Sequence, residues 1–205
     1  MGLRVDSRAS VMSAVVLLLA SAAFAGTQSG AARAPAAAAP ALALCCEADW
    51  LAGAEKQLVL RRGLELAQEA AAIDPADARA HFAVFCNLGK QVQSGVLGPR
   101  DFGLIGRLRH EIDTVLELAP DDPEALVAKG AMLLALPWFL GGDRGHGEEL
   151  LRAALLADPA NAAARAHLVE ALRARGAGDE AHALQSADTD APPKAVCAAT
   201  DPQRP

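Results

Sequence analysis

A short helix ending that recurs three times constrains this chain more than any other feature. Ala70-Ala71-Ala72-Ile73-Asp74-Pro75, Val115-Leu116-Glu117-Leu118-Ala119-Pro120 and Ala154-Leu155-Leu156-Ala157-Asp158-Pro159 each close an apolar-periodic stretch on a proline. Proline lacks an N–H and clashes with the turn before it, so each stretch stops there. Asp77, Asp122 and Asn161 follow, and their side-chain oxygens can accept from the free N–H groups that open a new helix. Helices restart over Arg79–Gly89, Glu124–Leu136 and Ala163–Arg175. A helix-turn-helix unit that cannot bury its apolar face alone has to stack on its neighbours. The composition agrees: hydrophobic residues make up 52% but aromatics only 3%, and there is no tyrosine. Few aromatic and β-branched residues argue against a sandwich or barrel, whereas Ala and Leu are strong helix formers.

Seven helices are expected, near 47–73, 76–93, 101–119, 123–136, 145–157, 162–175 and 178–186. Short turns join them, so neighbours should pack antiparallel. Leu58, Leu64, Ala67, Ala70 and Ile73 form one apolar stripe. Leu104, Leu108, Ile112, Val115 and Leu116 form a second, and Leu150, Leu151, Ala154 and Leu155 a third.

The ends read differently. Arg4 and Arg8 precede an apolar run from Val11 to Phe24, and Ala23-Phe24-Ala25 supplies a small-x-small cleavage site. Residues 1–25 therefore read as a secretory signal, and the chain as periplasmic or secreted. The alternative is a retained anchor, for which the run is short of the ~20 residues a spanning helix needs. Residues 26–43, rich in Ala, Pro, Gly and Ser with no amphipathic pattern, read as a flexible spacer. Residues 188–205, with four prolines, read as a disordered tail. The folded domain is expected over 44–187.

The repeating unit resembles that of tetratricopeptide repeat proteins over most of Trp50 to Leu184. Laying the family's repeat on the chain puts its small-residue position at Gly130, between Leu126 and Leu133. In the last unit Leu168 and Leu172 take the apolar positions, Gly176 the mid-unit turn and Ala181 the small residue of the second helix. The prolines are 45 and 39 residues apart, against a family period of about 34. The extra residues fit Gly89–Phe102 and the turn Pro137-Trp138-Phe139-Leu140-Gly141-Gly142-Asp143. The degenerate array looks like a subgroup of exported bacterial repeat proteins. The resemblance implies an all-α fold, antiparallel helix hairpins stacked as a short right-handed solenoid.

Candidate chemistry is sparse. Gly141-Gly142-Asp143-Arg144 shares half of the Gly-Gly-Asp/Glu-Glu-Phe signature of nucleotide cyclases, but no acidic-aromatic continuation follows. Two glycines in a tight turn and Asp143 as a helix cap account for it better. His81, His110, His146, His167 and His182 form no HxxxH or HExxH pair, and no cysteine–histidine spacing reads as a zinc site. There is no phosphate loop and no Gly-x-Ser-x-Gly. The reading is therefore a non-enzyme without cofactor or metal. With 19 Lys+Arg against 25 Asp+Glu the net charge is −6, which disfavours nucleic acid as a partner.

The cysteines remain open. With a turn near Pro75, Cys86 faces about Glu65, and Cys46 lies roughly 28 Å further along a straight helix. A disulfide needs Cα atoms within about 7 Å. A bridge from Cys45 or Cys46 to Cys86 thus requires the first helix to break, at Gly53 or Gly63. The simpler reading makes Cys86 a buried small apolar residue.

Two functions fit. The first is a protein–protein interaction scaffold or adaptor docking a peptide or helix in its concave face. The resemblance places the family's carboxylate-clamp positions at Phe82, Ala83 and Cys86, then Val127, Ala128 and Ala131, then Ala166, His167 and Glu170. The Lys, Asn and Arg of the clamp are not there, so an apolar partner segment is expected. Phe82, Cys86, Val127, Ala131 and Glu170, with Trp138 and Phe139 of the inserted turn, are the candidate contact residues. The second function is an accessory small-ligand-binding component of an envelope or transporter complex, which would need a deep pocket between the two inserts. Trp138 is expected to tuck against neighbouring helices, with a solvent-facing contact as the alternative.

Overall fold

The computed structural model describes residues 34–95 and 102–186. The expected signal, the first part of the spacer, residues 96–101 of the first insert, the tail and Cys197 lie outside the described residues.

Among the described residues there are eight α-helices and no strand. They are α1 (Ala34–Glu47), α2 (Gly53–Ile73), α3 (Ala78–Ser94), α4 (Phe102–Leu118), α5 (Pro123–Ala135), α6 (Arg144–Ala157), α7 (Ala162–Ala174) and α8 (Gly178–Ser186). Each packs on the next in the chain, and α1 also packs on α3, as α5 touches α7. The fold is all-α, a stack of four antiparallel hairpins: α1/α2, α3/α4, α5/α6 and α7/α8.

The caps work as their residue types require. Asp77 Oδ1 accepts from the N–H groups of Arg79 at 2.9 Å and Ala80 at 3.3 Å. Asp122 accepts from Glu124 and Ala125, both at 2.9 Å. Asn161 accepts from Ala164 at 2.9 Å, and Asp143 from His146 at 3.0 Å. Each satisfies a donor that a helix start leaves unpaired.

Two expectations at the N-terminal end are corrected. Residues 34–43 are not spacer but most of α1, whose Ala38, Ala41, Leu42, Cys45 and Cys46 are all buried. Alanine is the best helix former, and its small side chain lets α1 lie close on both α2 and α3. Pro40 sits inside this helix; it removes one intrahelical bond but leaves the packing intact. Nor does one long helix run over 47–73. A 3-10 turn at Ala48–Trp50 is followed by extended backbone at Leu51 and Ala52. Gly53 takes φ +57°, a left-handed conformation that suits glycine. The chain reverses there, so α1 runs antiparallel to α2.

That reversal brings the cysteines together. Cys45 is disulfide-bonded to Cys86 with a Cα–Cα distance of 6.1 Å, and Cys46 is disulfide-bonded as well. The bridge joins α1 to α3 alongside polar contacts. Lys90 Nζ donates to the Cys45 carbonyl at 2.8 Å and to Asp49 Oδ1 at 2.5 Å. The fully buried Asn87 donates from Nδ2 to the Ala41 and Ala83 carbonyls, both at 2.9 Å.

The core follows two of the three expected stripes. Leu108, Ile112 and Val115 are buried on α4, and Leu151 and Ala154 on α6. On α2 the stripe is displaced: Leu60, Gly63, Ala67 and Ala70 face inward, while Leu58 and Ile73 are exposed. Packing against α1, which the stripe did not include, rotates the buried face. In the third hairpin, Gly130 and Gly147 let α5 and α6 cross closely, since a Cβ on either would lie 3.0 Å from the carbonyl oxygen of the other.

A ring of charges seats the last helix. Glu148, 8% exposed, accepts from Arg152 at 3.3 Å and from Arg175 at 3.1 Å, and both arginines reach Glu180, at 2.7 and 2.8 Å. The Arg152 hydrogen bond, then the positive charges of Arg152 and Arg175, hold the Glu180 carboxyl below its ordinary value of 4.5, outweighing desolvation. A carboxylate with a depressed folded-state value contributes stability above its unfolded value and loses it as pH falls through the folded one. Wild type should therefore melt higher than Glu180→Gln at neutral pH. That gap should shrink steadily below pH 4.5, as followed by circular dichroism; a gap independent of pH would remove Glu180 from this role.

Candidate interaction surface

In stacked hairpins the first helix of each unit lies on one side. Here α5 and α7 form a groove of about 280 Å³, lined by Ala131, Leu134, Ala135, His167, Glu170 and Ala174 among others. Its floor is small and apolar because α5 and α7 present alanines there. Its rim is polar: Arg144, His167 and Glu170 have no hydrogen-bond or ion-pair partner within the described residues. No group of three His, Cys, Asp or Glu side chains able to share a metal ion occurs among the described residues.

A second cavity, about 380 Å³, lies under the turn that joins α5 to α6, between Arg109, Asp113, Lys129, Gly142, Asp143 and His146. Its charges engage each other or the backbone. Lys129 Nζ meets Asp113 at 2.8 Å, and Asp143 caps α6. Arg109 donates weakly to the Leu140 and Gly141 carbonyls, at 3.5 and 3.4 Å.

The turn above it is held rigidly. After Pro137 a 3-10 turn spans Trp138–Leu140, and Gly141 takes φ +82° against the Arg109 guanidinium. Gly142 donates to the Pro137 carbonyl at 3.0 Å and Asp143 to the Leu133 carbonyl at 3.1 Å. This geometry projects Trp138 and Phe139 into solvent, 84% and 64% exposed, with their rings edge-to-face at 5.9 Å.

The sequence-derived contact residues thus separate into three places. Ala131 and Glu170 line the groove. Trp138 and Phe139 stand outside it on the turn, which corrects the expectation that Trp138 is buried: two backbone bonds fold the turn back without using its side chain. Val127 is buried in the core among Leu151, Ala154 and Leu168, and so is not a contact residue. Phe82, half-buried, stacks near Phe85 of the same helix at 6.3 Å, and Cys86 is consumed by the disulfide. Leu134, Arg144 and His167 belong to the groove but were not selected as contacts. Leu134 and Arg144 lie outside the family's clamp positions, and only the α5–α7 juxtaposition brings them in.

Trp138→Ala should leave the melting temperature nearly unchanged, within about 0.5 kcal/mol in stability, because an exposed ring leaves no cavity. A drop of several degrees would contradict the exposed placement.

The chain matches no protein-family model and no curated protein.

Proposed function

We propose that this chain is an exported, non-enzymatic interaction scaffold of the tetratricopeptide kind, which holds a protein segment in the groove between α5 and α7. The observation that carries this reading is the groove itself: an apolar floor with a rim of unpartnered Arg144, His167 and Glu170. Such a rim suits a bound backbone or side chain, since those groups gain their partners only on association. The stacked-hairpin fold supports the same reading, because repeat arrays bind along their concave face. The cavity under the α5–α6 turn supports a small-ligand role less well, as its charges already compensate each other.

Ala135 and Ala174 are exposed and line the groove, so arginine at both fills it without disturbing the core. Partner species captured from the host by the wild-type chain and identified by mass spectrometry should be lost with the Ala135→Arg/Ala174→Arg double variant. They should be retained with Leu58→Ser, an exposed change elsewhere. Equal capture by all three proteins would reject the groove as the binding surface.

A further inference from the structure

The α5–α6 turn and the α5–α7 groove are neighbours of opposite shape. Leu136 to Gly142 holds no charged residue, and at its crest Trp138 and Phe139 stand exposed. The backbone bonds that close the turn hold both rings outside the chain's own groove. Ala135, just before the turn, and Arg144, just after it, both line that groove. An apolar knob thus stands next to an apolar hollow.

Size and charge limit what the hollow takes. At about 280 Å³ it falls short of the range of about 300–1,000 Å³ that encloses a drug-sized ligand, so it receives one or two large side chains and not a whole helix. Its rim is self-complementary: Arg144 and Glu170 carry opposite charges, and neither has a partner among the described residues. A rim of one sign would repel its own copy. A two-fold axis sets a patch against itself, so that each residue faces a different one across the interface. With the axis between Arg144 and Glu170, the arginine of each copy meets the partner's Glu170.

Taking the groove as the binding surface, we infer that its occupant is the Trp138–Phe139 turn of a second copy, each chain lending its turn to the other's groove about a two-fold axis. The uncharged turn carries no ionised group out of water, so its entry avoids the cost of burying a charge. Aromatic side chains bury about 150–250 Å² apiece, and two rings from each copy, with the walls they cover, bring the interface to about 1,000–1,200 Å². That is the lower end for a specific pair, and one turn in one groove would reach only half of it. Reciprocal exchange is therefore required. Because knob and hollow are adjacent, the exchange closes at two copies; on opposite faces the same contact would extend into a filament. A contact this small gives weak, micromolar association, so melts of the dilute chain report the monomer.

Sedimentation of the full chain from micromolar to near-millimolar concentration should show a monomer–dimer equilibrium and no larger species. Trp138→Ala/Phe139→Ala and Ala135→Arg/Ala174→Arg change exposed positions, and each should weaken dimerisation at least about tenfold with unchanged circular dichroism. Arg144→Glu and Glu170→Arg should each weaken it, and the two changes together in one chain should restore it. Of the two tryptophans, Trp50→Phe leaves only Trp138, whose emission should move to the blue as concentration rises. A chain that stays monomeric throughout overturns the dimer; if Ala135→Arg/Ala174→Arg still loses the captured host species, the groove remains the binding surface for another protein. A dimer that survives Trp138→Ala/Phe139→Ala, or that the charge-swapped chain fails to restore, places the contact elsewhere and overturns it as well. So does mass that grows without limit, which marks open-ended stacking.

Discussion

Replacing Cys45 and Cys86 together by alanine should lower unfolding stability by about 4 kcal/mol, the chain-entropy value for the 41-residue separation the bridge spans. The bridge restrains the unfolded chain across the whole of α2 and half of α3, so much of its effect lies in the unfolded state. The remaining contacts of α1, through Asn87, Lys90 and its alanine face, should keep the helix docked in the folded variant. Urea titration of the oxidised wild type and the double variant measures the difference. A loss below about 1 kcal/mol would show that the unfolded chain is already restrained in that region.

Gly142→Ala should cost roughly 3 kcal/mol, at the upper end of what overpacking usually costs. An alanine Cβ there would stand 1.8 Å from the Leu136 carbonyl oxygen and 3.1 Å from the Pro137 carbonyl carbon, and neither backbone group can swing aside as a side chain would. The turn must open, losing the bonds to Pro137 and Leu133 that close it. Gly145→Ala is the matched control: its Cβ would meet only Asp143 Oδ1, at 3.6 Å. In the first turn of α6, alanine should stabilise by up to about 1 kcal/mol. If thermal melts rank the two variants alike, the rigid-turn description fails.

The legible part of this fold was its punctuation. Each observed helix from α3 onward begins and ends within two residues of its expected bounds, because Asp77, Asp122 and Asn161 cap starts and prolines enforce stops. What escaped was everything that depended on α1. A helix of alanine and leucine with a proline inside has no polar face, so it carries no period to detect, and even its exposed positions, Ala39, Pro40 and Ala43, are apolar. Without α1 the buried face of α2 was misplaced toward Leu58. The first helix was also drawn straight through Gly53, which made the Cys45–Cys86 bridge look out of reach. Trp138 was misread for a different reason. Large apolar residues in a loop normally gain by burial, and nothing in the order of residues 137–143 reveals that backbone bonds, with Arg109 on the Leu140 and Gly141 carbonyls, complete the turn without the Trp138 side chain. Of the groove residues, Ala131, His167 and Glu170 stand at positions the family resemblance singles out, whereas Leu134 and Arg144 share the groove only because two separate hairpins stack.

The order in which helices touch has a kinetic consequence. From α2 to α8 nearly every neighbour in space is also the neighbour in sequence, so closing each contact requires only a short loop. Chains dominated by such local contacts fold fast, and a stack of similar units can begin folding at several places. The helix that docks across two partners is α1, whose bridge closes over 41 residues. Its docking is therefore the step in which chain entropy weighs most, and thiol oxidation, on a scale of seconds to hours, should lag behind an otherwise rapid assembly of the later hairpins.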